Sequence, residues 1–104
     1  MIRAGINVAI GTDSCASSPD LNVVDDLRLA YRLSKQSGHH LHSQTIWEMI
    51  MTNAARALGL QDQIGSITPG KSADFAVFEV SNTDDPLREI LETSEIPIVR
   101  VISV

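Results

Sequence analysis

Gly5-Ile6-Asn7-Val8-Ala9-Ile10-Gly11-Thr12-Asp13-Ser14 is the stretch whose reading decides the fold. Residues 6–10 are apolar apart from Asn7, a run short enough for a strand and without the alternation of a half-exposed one. That pattern predicts a strand covered on both faces, as parallel strands usually are. Gly11 and Thr12 end the run, and Asp13 stands just beyond it. In α/β folds, sites are built in the loops past the carboxyl ends of such strands. Asp13 is therefore the first candidate for chemistry, set against the plainer reading of a carboxylate that bonds nearby amides and shapes its loop.

Working outward, residues 1–4 followed by Gly5 read as a helix tail ending on a glycine, which reaches the left-handed conformation without steric cost. Residues 14–20 have loop composition, and Asn22 is placed to cap a helix with Asp25 and Asp26 in its first turn. On that helix Val24, Leu27, Ala30 and Tyr31 fall on one face, while Arg28, Arg32 and Lys35 are predicted to face outward, and Gly38 closes it. Ser43 is the expected cap of a second helix. Along it Ile46, Met49, Ile50, Asn53, Ala54, Ala57 and Leu58 recur at helical spacing as far as Gly59. Thr68-Pro69-Gly70 predicts a type II turn, residues 73–80 a strand, Asp85-Pro86 the start of a short helix over 86–93, and residues 98–104 a further strand.

Composition excludes several classes. The 104 residues carry a net charge of −5, and the eight lysines and arginines form no basic stripe, which argues against nucleic acid and anionic membrane as partners. A single cysteine, Cys15, cannot form an internal disulfide, and no apolar run approaches the ~18 residues needed to span a bilayer. A cytoplasmic location is the expectation.

Three motifs resemble, in order, the amidohydrolase superfamily, and within it the aminohydrolase and chlorohydrolase branch that includes deaminase-like enzymes. The opening stretch is similar to the eighth barrel strand of that superfamily, and Ala16-Ser17-Ser18 ahead of Asn22 resembles the branch. Thr52-Asn53-Ala54-Ala55-Arg56-Ala57-Leu58-Gly59-Leu60 resembles the helix that follows, and Ile64-Gly65-Ser66-Ile67-Thr68-Pro69-Gly70-Lys71-Ser72-Ala73-Asp74-Phe75 the return into a small β-sandwich. The resemblance implies an α/β fold in which residues 1–60 are the closing βα unit of a TIM-like (β/α)8 barrel and residues 61–104 part of a C-terminal β-sandwich. It implies that Asp13 is both a ligand of a divalent metal, Zn2+ or Fe2+, and a general base for hydrolysis of a non-peptide C–N bond. The implied reaction is deamination of an amino-heterocycle such as an aminated purine, pyrimidine or triazine ring.

The same resemblance implies a His-x-His pair on the first strand and further histidines on later ones. His40-Leu41-His42 is not that pair, because it joins two helices and no apolar strand leads into it; with His39 it reads as a solvated connection. The chain is thus expected to be an incomplete piece of a larger barrel and inactive alone, with the missing N-terminal portion as its partner. Two other readings are a small non-catalytic α/β interaction module and one subunit of a split hydrolase. Among neighbours of Asp13, Ser14 and Ser17 are candidate substrate contacts, and Cys15 is either a contact or an inert small residue. Asn53 is expected to bond backbone, Trp47 and Met49 to pack, Asp74 to anchor a turn, and Lys71 to be solvated.

Overall fold

A computed structural model describes residues 1–17, 20–93 and 98–103; Ser18 of the Ala16-Ser17-Ser18 motif and Val104 of the last expected strand lie outside them. A short 3-10 helix, Ile2–Ala4, ends on Gly5 in the left-handed conformation at φ 74. Among the described residues four α-helices follow: α1 (Val23–Gln36), α2 (Ser43–Glu48), α3 (Thr52–Ala57) and α4 (Pro86–Glu92). Two strands, β1 (Phe75–Phe78) and β2 (Ile98–Ile102), form an antiparallel pair. The register sets Phe75 opposite Ile102 and Val77 opposite Arg100, with an irregularity before Phe78 meets Ile98.

The caps explain where α1 and α4 begin. The Asn22 side chain accepts from the Val24 N–H, and Asp85 does the same for Arg88 ahead of Pro86, so one of the unpaired donors at each of these helix starts gains a partner. The core lies where α1, α2 and α4 meet: Val24, Leu27 and Tyr31 pack with Ile46, Trp47, Met49, Ile90 and Leu91. The Trp47 indole sits edge-on to Phe78 at 5.9 Å and donates from Nε1 to the Leu87 carbonyl at 3.0 Å, which ties α2 to the end of β1 and to α4. Thr68-Pro69-Gly70 makes its turn, with Lys71 N–H bonded to the Thr68 carbonyl and Gly70 at φ 93.

Several expectations are corrected. Residues 6–10 join no sheet among the described residues; the two strands present are antiparallel to one another, and a parallel strand needs a neighbour brought in by a crossover connection. Among the described residues only one face of the run is covered: Val8 and Ile10 pack on the core while Ile6 and Ala9 are exposed. The single helix expected to run on to Gly59 is two, because Met49, Ile50 and Met51 close tighter i to i+3 bonds and Met51 leaves the helical region at φ −114, ψ −98. Ser43 caps nothing; it is the first residue of α2, and its hydroxyl bonds Asp85 instead. Arg28 is buried rather than outward, its Nε donating to the Ile90 carbonyl at 2.9 Å and Nη1 to Asp25 at 2.7 Å. A long side chain with an apolar stem and a donor-rich head can line a helix interface in this way, which periodicity alone does not foresee. Lys71 is half-buried and donates to Ser66 Oγ and to the Gln61 carbonyl. Asp74 accepts from Ser103 beyond β2, so it links strand ends rather than a local turn.

Candidate active site

Asp13 is exposed and lies just after the segment that packs Val8 and Ile10 on the core. Its backbone is left-handed at φ 60, a conformation that a non-glycine residue adopts uncommonly and that aspartate tolerates better than most. The next residues form a turn in which Ser17 N–H bonds the Ser14 carbonyl at 3.0 Å. The Ser17 hydroxyl lies 3.1 Å from Asp13 Oδ2 and 3.2 Å from the Ser14 carbonyl, so its one proton serves two acceptors. Asp13, Ser14 and Ser17 are therefore brought together on one exposed turn, and Cys15 is exposed between them.

The segment leading to Asp13 is held by polar contacts with α3 and with Met49 at the end of α2. Asn53 Nδ2 donates to the Val8 carbonyl at 3.0 Å, and Asn7 Nδ2 donates to the Asn53 carbonyl at 3.0 Å. Arg56 Nη1 reaches Asn7 Oδ1 at 3.3 Å, and the Ile10 N–H bonds the Met49 carbonyl at 3.0 Å. Asn53 thus bonds backbone as expected, although it is half-buried rather than buried. The part played by Asn7 escapes a sequence reading that treats it as an interruption; its standing as the one polar residue in the run 6–10 was the available signal.

An exposed carboxylate with one oxygen engaged by a serine hydroxyl suits a hard or borderline divalent cation as a single donor. It does not suffice, since zinc sites take three or four protein ligands and no group of three or more His, Cys, Asp or Glu placed to hold a metal occurs among the described residues. His39, His40 and His42 are all exposed, and His39 Nδ1 lies 3.0 Å from the Ser37 carbonyl. A hollow of about 200 Å³ lined by Arg28, Tyr31, Arg32, Lys35, Leu91 and Glu92 contains none of Asp13, Ser14 and Ser17. Its Lys35 is paired with Glu92 at 2.8 Å, so it reads as a helix-to-helix seam on the surface rather than as the reaction site. Among the described residues no helix is long and apolar enough to cross a membrane.

With this geometry in view, the chain belongs to the amidohydrolase family, whose model matches residues 1–102. It is similar to 5-methylthioadenosine/S-adenosylhomocysteine deaminases, at 40% identity over 84 residues to that of Desulforudis audaxviator, covering 78% of this chain and 20% of the relative. The corresponding protein of Saccharophagus degradans is 42% identical over 80 residues, covering 74% of this chain and 18% of the relative. The fold matches that of an adenosine deaminase from Xanthomonas campestris crystallised with bound zinc, with a TM-score of 0.78 and 35% identity over 86% of this chain and 22% of that one. The chain spans about a fifth of the length of the curated relatives it matches.

Proposed function

We propose that residues 1–104 carry the catalytic carboxylate of a metal-dependent hydrolase that deaminates an amino-heterocycle, of the adenine-nucleoside class named in its relatives. Residues 1–60 are the closing βα unit of a (β/α)8 barrel in this reading, and residues 61–104 belong to a β-sandwich. The observation that carries the reading is the exposed Asp13 carboxylate, held by Ser17 on the turn after a docked apolar segment.

Asp13 would serve as one ligand of a divalent cation, zinc in preference to iron because a structural relative holds zinc, with imidazole ligands from outside this chain. When bound, the metal supplies Lewis acidity that brings the pKa of a water toward neutrality. The Asp13 carboxylate accepts the proton that the attacking water releases and returns it to the departing amino group, so one residue serves as base and then as acid. Ser17 holds one oxygen of Asp13 and leaves the other for that proton, and in this reading Ser14, exposed on the same turn, is a substrate contact. Residues 1–104 alone hold one ligand of the set and are expected to turn nothing over.

The test uses the whole protein. Asp13→Asn should abolish ammonia release from adenosine-type substrates in the presence of zinc while leaving the melting temperature of the zinc-free protein nearly unchanged, since asparagine keeps an acceptor for the Ser17 hydroxyl. Turnover close to that of the unmodified protein would remove Asp13 from the mechanism.

A further inference from the structure

The segment that presents Asp13 has no strand ladder among the described residues, yet it is bonded at defined points to α3 and to Met49 at the end of α2. We propose that Asn53, working with Asn7, is a positioning residue that fixes the register of residues 7–10 on α3 and so the place at which Asp13 is presented. This rests on the reading of Asp13 as the catalytic carboxylate.

Within residues 1–104, apolar packing cannot set the register of this run on α3 unaided. Val8 and Ile10 face the core, but in an extended segment Ile6 and Val8 fall on the same face two residues earlier. A slip of two residues would therefore exchange one apolar pair for another while moving Asp13 by roughly 6–7 Å. The asparagines distinguish the two registers. Asn53 donates to the Val8 carbonyl, and Asn7 donates in return to the Asn53 carbonyl, each at 3.0 Å. A two-residue slip would put Gly5 or Ala9 where Asn7 stands, and neither has a side-chain donor. A one-residue slip would instead turn Val8 and Ile10 away from the core.

The break between α2 and α3 serves the same end. In an unbroken α-helix the Met49 carbonyl would be taken by the amide four residues on; here it accepts the Ile10 N–H at 3.0 Å. Arg56 completes the network by donating to Asn7 Oδ1, which orients the Asn7 amide with its nitrogen toward Asn53. Misplacing a reacting group by about 1 Å is enough to cost about 100-fold in rate, so a register device has a large effect without touching substrate.

The experiment compares Asn53→Leu, Asn7→Ala, Asp13→Asn and a stability control, Ile46→Val, in the whole protein. Zinc affinity is read by competition with a chromophoric chelator, hydrogen exchange over residues 6–13 by mass spectrometry, and kcat and KM with adenosine. Asn53→Leu and Asn7→Ala should each speed exchange over 6–13, weaken zinc by about 10- to 100-fold and lower kcat by a similar factor with KM little changed. Ile46→Val should lower the melting temperature and do none of these. If Asn53→Leu and Asn7→Ala behave like Ile46→Val while Asp13→Asn is inactive, the positioning role is overturned and Asp13 stands. If Asp13→Asn keeps both zinc affinity and turnover, the reading of Asp13 fails and this inference fails with it.

Discussion

The Ser43 hydroxyl donates to Asp85 Oδ2 at 2.8 Å, while Oδ1 of the same carboxylate accepts the Arg88 N–H at 3.0 Å. One side chain thus caps α4 and fastens it to the first residue of α2. The Arg88 N–H first and the Ser43 hydroxyl second hold the Asp85 carboxyl below its ordinary 3.8.

A pH dependence follows from that pair. The folded protein binds fewer protons at Asp85 than the unfolded chain does, so the stabilisation is complete above 3.8 and is lost as pH falls through the lower folded value. Asp85→Asn should flatten the acid limb of the stability curve in that interval and lower the melting temperature at neutral pH. Ser43→Ala should do the same in part. Urea midpoints measured from pH 2 to pH 7 check both, and an acid limb unchanged in Asp85→Asn would show that the carboxylate's bonds are not felt.

Gly65 should resist any side chain. Its φ is +94, and an added Cβ would lie 2.7 Å from the Ala55 Cβ and 3.1 Å from the Met51 carbonyl, at the start of α3. Gly65→Ala combines a strained backbone with overpacking, for an expected loss of about 1–3 kcal/mol. Chemical denaturation measures it, and a loss below about 0.5 kcal/mol, the range of ordinary surface changes, would show that α3 moves aside freely.

Leu27 and Leu29 test the orientation of α1. Leu27 is 0% exposed and Leu29 47% exposed, although they are the same residue type two positions apart. Leu27→Ala should cost about 2–5 kcal/mol through lost burial and the space left behind. Leu29→Ala should stay within about 0.5 kcal/mol. Equal effects in denaturant titrations would mean that α1 packs on a different face.

Local chemistry was legible in the sequence wherever a residue acts on its immediate neighbours. Asn22 and Asp85 cap because a short polar side chain can bond an amide two or three residues on, and the Thr68-Pro69-Gly70 turn forms because proline sets one φ and glycine supplies the other. The family was equally legible, since its motifs are strings of adjacent residues. The sequence singled out Asp13 as a candidate by its place just past the apolar run, with Ser14 and Ser17 as its neighbours, and the three lie on one turn.

What only the tertiary structure decided are the partnerships between residues far apart in the chain. An amphipathic pattern continuous from Ile46 to Leu58 hides a break, because periodicity reports which face is apolar and not whether a carbonyl at Met49 will be claimed by Ile10. Arg28 looks solvent-facing until the Ile90 carbonyl is brought beside it from 62 residues away. Asn7 and Asn53 mean nothing to each other until the fold closes 46 residues of chain between them. A hydrogen bond depends on distance and direction in space, and only the folded chain supplies both.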